Sequence, residues 1–195
     1  MRSLRSSAAL AIIVAVIPAA GLRAQVADTA AFHRGQWGMD FNAGYGFAGA
    51  GLIRFRSPTR ALVLSVGGSL QTTSYDPASG YPGGNRTEVN VSLGARRYHP
   101  FAPRLYYYRT LGVEGAYTHQ FSGGDAGNTE IQWNGGLFGE VGLGWLVTPH
   151  LALGAAWRLN ADYYRAEQRA GAQVTWTSGF IASLAQPRLT GQLYF

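Results

Sequence analysis

From Gln36 onward the apolar residues recur at every second position rather than every third and fourth, which is the period of a strand with one greasy face. The first run sets Trp37, Met39, Phe41, Ala43, Tyr45 and Phe47 against Gly38, Asp40, Asn42, Gly44 and Gly46. A FAGAG turn follows, then a short strand with Ile53 and Phe55 opposite Arg54 and Arg56, and a turn over SPTR, residues 57–60. The third strand carries Leu62, Leu64, Val66 and Leu70 on one face and Ser65, Gly67, Ser69, Gln71 and Thr73 on the other. After a polar loop, 75–86, the fourth opposes Val89, Val91, Leu93 and Ala95 to Glu88, Asn90, Ser92, Gly94 and Arg96. HPFAP is expected to make the next tight connection.

The fifth strand sets Leu105, Tyr107, Leu111, Val113 and Tyr117 against Tyr106, Tyr108, Thr110, Gly112, Glu114 and Thr118, and the loop HQFSGGDAGN ends it. The sixth sets Ile131, Trp133, Leu137, Val141, Leu143 and Trp145 against Glu130, Gln132, Asn134, Phe138 and Glu140. After TPH, the seventh opposes Leu151, Leu153, Ala155, Trp157, Leu159 and Tyr163 to Arg158, Asn160 and Asp162. Residues 165–179 read as a loop and FIASLAQ keeps no phase. Pro187 cannot donate to a central ladder, so the eighth strand begins there, with Leu189, Gly191, Leu193 and Phe195 opposite Arg188, Thr190, Gln192 and Tyr194. Ten strands is the alternative, if 165–185 forms its own hairpin. Short connections alternate with long polar ones, and the strands reach the ~10 residues that a tilted strand needs to cross a bilayer. The expectation is all-β: an eight-stranded antiparallel up-and-down transmembrane β-barrel.

The charges orient it. Asp40, Arg54, Arg56, Glu88, Arg96, Glu114, Glu130, Glu140, Arg158, Asp162 and Arg188 are assigned to the small, polar face, leaving Arg97 and Arg109 on the apolar one. Five Arg and six acids nearly neutralise each other, as befits the crowded lumen of a small barrel with lipid outside. Hairpin symmetry about Thr148 and Pro149 places Glu140 opposite Arg158 as a cross-strand ion pair; the same operation about HPFAP places Glu88 opposite Glu114. This column either fills the lumen structurally or acts as a switchable ion gate. Tyr106, Tyr107, Tyr108, Trp145, Trp37, Trp133 and Tyr117 near strand ends are expected as interfacial girdles, with Arg97 snorkelling to the interface.

Composition narrows the class. The chain is 47% hydrophobic and 13% charged, with 27 Gly and no Cys, which excludes a disordered tail, a disulfide scaffold and a cysteine-ligated metal domain. Its formal charge of +6 is all Arg, and Arg2, Arg5 and Arg23 fall in the N-terminal segment. The remaining Arg are scattered, so no nucleic-acid partner is expected. Residues 1–24 have the basic start, short apolar run (Ala8–Ala20) and polar close of a secretory signal peptide, cut after Ala24 or alternatively after Gly21. Residues 25–35 are then an N-terminal periplasmic segment, and 36–195 the barrel.

The signal peptide, the meander with short turns at one end, and the final strand LTGQLYF resemble the small outer-membrane β-barrel superfamily, of the OmpA-like and OmpX-like eight-strand kind. The resemblance implies outer-membrane lipids and the barrel assembly machinery as partners. It also implies that Leu189, Leu193 and Phe195 carry the assembly signal.

Enzymatic chemistry is sparse. His119, Ser122 and Asp125 share one loop region but do not make a triad, and HQFS lacks the His-x-Ser spacing of the outer-membrane lipid A deacylases. SGGDAGN occurs once, as a flexible loop rather than a calcium-binding repeat, and no zinc, phosphate or dinucleotide motif is present. The expectation is a non-enzymatic barrel with a structural or surface-contact role and no cofactor or metal. A small-solute or ion channel gated by the lumenal charges is the alternative, and a lipid-modifying enzyme the more distant one.

Overall fold

The computed structural model describes residues 32–44, 47–74, 83–123, 128–184 and 187–195. The expected signal peptide, 1–24, and most of 25–35 lie outside the described residues. The regular elements are β1 (Trp37–Gly44), β2 (Phe47–Ser57), β3 (Arg60–Thr73), β4 (Gly84–Ala102), β5 (Leu105–Ser122), β6 (Asn128–Thr148), β7 (Leu151–Ala170), β8 (Gln173–Leu184) and β9 (Arg188–Tyr194). Each strand from β1 to β7 pairs antiparallel with the next, and β9 pairs with both β7 and β1 to close the ring. The nine strands occupy eight places, because β8 lies along the distal half of β7 and β9 along its proximal end. The interruption includes Pro187, as the missing N–H of proline requires.

One row of register partners shows the tilt. It runs outward-facing through Met39, Leu52, Leu64, Leu93, Val113, Leu137 and Ala161. In the other direction Met39 faces Leu193, which faces Leu151. The ring therefore closes ten residues higher on β7, at Ala161 against Leu151, the stagger that tilted strands need to form a barrel.

Every member of that row is apolar, and all but the half-buried Leu151 are exposed. Leu64, Val113 and Leu153 are 49%, 53% and 50% accessible, whereas Arg158 is 6% accessible. Grease is on the outside and charge is sealed within. Strands of 18 to 21 residues in β5 to β7 are about twice what a bilayer crossing needs, so their distal halves project beyond the apolar belt. At the distal end of the belt Tyr117, Trp133 and Trp176 lie in ring contact, with the Arg165 guanidinium over Trp176.

Several boundaries differ from the sequence expectation. The FAGAG segment is the start of β2, and the first strand, expected to run to Phe47, ends at Gly44, which pairs with Phe47. β4 continues through HPF to Ala102, with an irregularity between Pro100 and Ala102, and turns at Pro103 and Arg104. That shift places Glu88 opposite Thr118, and Glu114 opposite Ser92, so the expected Glu88–Glu114 juxtaposition does not form. Residues 165–179 are not a loop: β7 runs to Ala170, the chain turns at Gly171 with φ +59°, and β8 returns. β8 kept no phase because neither of its faces packs against a core; nearly all its residues are exposed. The extra hairpin lengthens existing staves and adds none, so the ten-strand alternative does not hold.

At the short-turn end the alternation inverts. Ile53, Phe55, Val63, Tyr98, Tyr106, Tyr108 and Tyr194 point inward and are buried, while Arg54 and Arg56 point outward. This corrects the assignment of those two Arg to the lumen, and of Tyr106 and Tyr108 to the girdle. The reason is that the end of the barrel is filled by a plug of rings, so apolar residues belong inside there, while the outer surface meets the polar edge of the membrane. Outward at this level are Trp37, Tyr107 and Trp145, which do form the girdle.

Phe32 completes the plug. It lies 4.6 Å from the Phe55 ring and 4.9 Å from each of Tyr98 and Tyr194. Gly35, with φ +88°, turns the incoming chain and donates its N–H to the Phe55 carbonyl, which aims Phe32 at the axis. The rings fit because glycines face them: a Cβ on Gly144 would sit 2.3 Å from Tyr106 Cζ, and one on Gly142 the same distance from Tyr108 Cζ. Gly144→Val is therefore expected to destabilise the barrel by about 1–3 kcal/mol or more, as overpacking does. Urea titration of the heat-modifiable band shift in lipid vesicles would measure it, with Gly139→Val, at a roomier outward site, nearly neutral.

Candidate functional site

Above the aromatic floor the lumen is filled by two ionic layers. In the lower one Arg96 of β4 reaches across to Asp40 of β1 at 2.8 Å and to Glu140 of β6 at 3.0 Å, and its Nε–H donates to Thr110 Oγ1 at 3.0 Å. The Arg96 guanidinium also lies 4.2 Å from the Tyr108 ring centroid. Arg96 and Asp40 are buried, so three spokes from three staves meet where water is scarce. In the upper layer Arg158 of β7 pairs with Glu114 of β5, donates to Asn160 Oδ1, and stacks over Phe138 at 3.6 Å.

The register expectation for Glu140 and Arg158 holds, since they are direct partners between β6 and β7. Their ion pair does not form: Glu140 turns to Arg96 and Arg158 to Glu114. In a narrow barrel the side chains of neighbouring strands converge on the axis, so a long guanidinium meets a carboxylate from a distant stave as readily as from the adjacent one.

Over these layers lies a cup of about 240 Å³ open toward the long loops. Glu88, Glu114, Asp162, Arg158 and Arg188 supply its charges, and Asn90, Asn134 and Asn160 its neutral polar groups. Asp162 Oδ1 and Glu114 Oε1 have no hydrogen-bond partner among the described residues. Only about 20 Å³ of space lies lower, between the ionic layers. The cup is blind in this conformation: Arg96 and its carboxylates close it, and the ring plug seals the end. Tyr106 donates to Gln192 Oε1 at 2.7 Å and its hydroxyl lies 3.1 Å from that of Tyr194, which ties the plug to the closing strand.

Of the sequence-assigned lumenal charges, the structure brings together Asp40, Arg96 and Glu140, then Arg158 and Glu114, and sets Asp162, Glu88 and Arg188 around the cup. Arg188 covers the Phe47 ring at 4.6 Å, and Arg86 approaches Glu88 at 3.4 Å. Glu130 is not part of this network; it sits in the distal sheet, accepting from Gln168 at 3.2 Å. Arg54 and Arg56 are outside altogether. Leu189, Leu193 and Phe195 face outward at the closing strand, at 74%, 43% and 66% exposure.

The residues missed by sequence reasoning are the ring partners Tyr108 and Phe138, together with Thr110 and Phe32. Phe138 gave a signal, being a ring on a polar-phase position. The imagined triad does not assemble: His119 and Ser122 fall on opposite faces of β5, and Asp125 lies outside the described residues.

A closed ring of eight antiparallel staves with an apolar exterior and an ionic interior defines the class: the chain has the fold of the small outer-membrane β-barrels. It is similar in structure to the outer membrane protein AlkL, solved in DMPC lipid bilayers, at 14% identity and a TM-score of 0.55, over 88% of this chain and 95% of that one. A major outer membrane protein from Thermus thermophilus matches at 13% identity and a TM-score of 0.54, over 82% and 98%. The N-terminal β-barrel domain of Pseudomonas aeruginosa OprF matches at 16% identity and a TM-score of 0.48, over 84% and 100%. The likeness to the first two shows the fold alone. No protein-family model matches the sequence, and no curated protein does.

Arg96→Met is expected to cost about 3–5 kcal/mol, because it strands Asp40 and Glu140 as unpaired buried charges. Adding Asp40→Asn and Glu140→Gln should recover a large part of that loss. Equilibrium urea unfolding in vesicles, followed by tryptophan fluorescence, measures both changes.

Proposed function

We propose that the chain is an exported, non-enzymatic outer-membrane barrel whose lumen is a structural ionic core and whose working surface is the sheet projecting beyond the lipid. The observation that carries this reading is the β7–β8 hairpin. Among the described residues β8 pairs with β7 alone, so its other edge presents free N–H and C=O groups. Val174, Trp176, Phe180 and Ile181 are exposed along it. A free, apolar strand edge held on a rigid stalk is suited to adding a strand from another molecule.

The blind lumen supports the structural reading of the charge column over the gated channel. For conduction Arg96 would have to leave both carboxylates and the ring plug would have to part. The expected partners within the membrane are outer-membrane lipids along the apolar belt. During insertion the barrel assembly machinery would read Leu189, Leu193 and Phe195, and residues 1–24 would direct export.

The test is a chain shortened between Ala166 and Ser178. The shortened barrel should still show a heat-modifiable band; bacteria displaying the full chain should gain surface attachment, and bacteria displaying the shortened chain should not. Attachment unchanged by the deletion would contradict the proposal. Planar-bilayer recordings address the channel: the full chain should be silent, and Phe32→Ala should remain silent because the Arg96 layer still blocks the path. Steady conductance that Arg96→Ala alters would replace the structural reading with the channel.

A further inference from the structure

On the outer surface of β2 to β5, at the short-turn end, five guanidiniums gather: Arg54, Arg56, Arg60, Arg97 and Arg109. Three of them stand in one register row, with Arg60 directly opposite Arg97 and Arg97 directly opposite Arg109. Direct antiparallel partners have Cα atoms only ~4.5–5.5 Å apart, and like charges so placed repel. Among the described residues no carboxylate pairs with any of the five. Glu167 is buried in the distal sheet and paired with Arg169, away from the cluster.

The neighbouring rows say what medium surrounds the cluster. One step toward the turn, His99 stacks on Tyr107 at 4.7 Å, and on β2, in the row of Leu62 and Ala95, Arg54 lies 5.1 Å from the Trp37 ring, the residues of a membrane boundary. One step the other way stand Ala95 and Leu111, then Leu93 and Val113, the start of the hydrocarbon belt. The Arg row therefore sits where lipid headgroups sit. Arg presents planar forks that match phosphate oxygens, and one phosphate can take donors from two or three guanidiniums at once.

We propose that this row is a binding site for the phosphodiester headgroup of an anionic phospholipid in the leaflet at the short-turn end. The bound phosphate turns a repulsive row into a clasp across β3, β4 and β5. The proposal rests on the membrane reading of the outer face and goes beyond it, by naming the lipid chemistry and the residues.

The experiment uses the full chain refolded into vesicles of phosphatidylcholine alone, or of phosphatidylcholine doped with phosphatidylglycerol. Wild type should unfold at higher urea in the doped vesicles. Native mass spectrometry from neutral detergent should show phosphatidylglycerol retained over phosphatidylcholine, by roughly fivefold for each engaged guanidinium. The variant Arg60→Gln, Arg97→Gln, Arg109→Gln should be at least as stable as wild type in pure phosphatidylcholine, where the repulsion has been removed, and should gain nothing from phosphatidylglycerol. If the triple variant does not fold, Arg97→Gln alone, at the centre of the row, should lose most of the lipid preference. Inorganic phosphate added to the detergent-solubilised protein should not reproduce the stabilisation; if it does, the site is one for free phosphate and the lipid assignment fails. Wild type that folds equally well in both vesicles, with no lipid preference, overturns the proposal while leaving the membrane barrel standing. A chain that enters neither vesicle removes the basis of both.

Discussion

A strand inside hydrocarbon has no water to satisfy its N–H and C=O groups, so each must find a partner in the next strand and the last strand must find the first. Here that closure is made by β9, which joins β7 to β1. Everything else follows from it. A closed sheet has an outside that lipid solvates and an inside that lipid cannot reach, so alternation along each strand becomes a division between two solvents. With eight staves the interior is only wide enough for side chains. Charges placed there are forced into contact, and two Arg layers, each capped by carboxylates, fill the bore. The bilayer makes an apolar exterior harmless, and the interior gains its order from ionic pairing over a small aromatic floor.

Much of this was legible in the sequence because a period of two cannot be counterfeited over many strands. The rows through Leu64, Leu93, Val113 and Leu137 fell on the lipid face as expected, and Pro187 marked the break in the last stave. The misassigned faces share a cause. Reading faces as apolar outside and polar inside works along the membrane's thickness and reverses at the short-turn end, where the bore is plugged. Ile53, Phe55, Tyr106, Tyr108 and Tyr194 are inside there, and Arg54 and Arg56 outside, because the two environments have exchanged polarity. β8, legible only within the alternative hairpin over 165–185, is a separate case: a strand with no packed face writes no alternation.

The site was legible in membership more than in pairing. Asp40, Arg96, Glu114, Glu140, Arg158 and Asp162 were all assigned to the lumen and lie there, since polar phase in mid-strand suffices to place them. Which carboxylate meets which guanidinium depends on reach across the bore, and strand order along the chain does not reveal it. Glu140 and Arg158 are neighbours in register yet serve different layers. The rings over which Arg96 and Arg158 lie were equally hidden, being a consequence of three-dimensional convergence. The Arg row on β3 to β5 was visible in part, as the misfits Arg97 and Arg109. It gains a meaning only when register sets Arg60 beside them.

The chain has no cysteine, so single-cysteine probes report one place each. The most direct test attaches an environment-sensitive fluorophore at Leu93→Cys, Val113→Cys or Leu137→Cys, and separately at Asn90→Cys or Asn160→Cys. Each labelled protein is then quenched in vesicles with a lipid-bound or an aqueous quencher. The first three should be quenched from the lipid and protected from water, and the last two should show the reverse. Lipid quenching at Asn160 together with protection of Val113 from lipid would mean that the faces are exchanged, and the structure could not then be a membrane barrel with an ionic lumen.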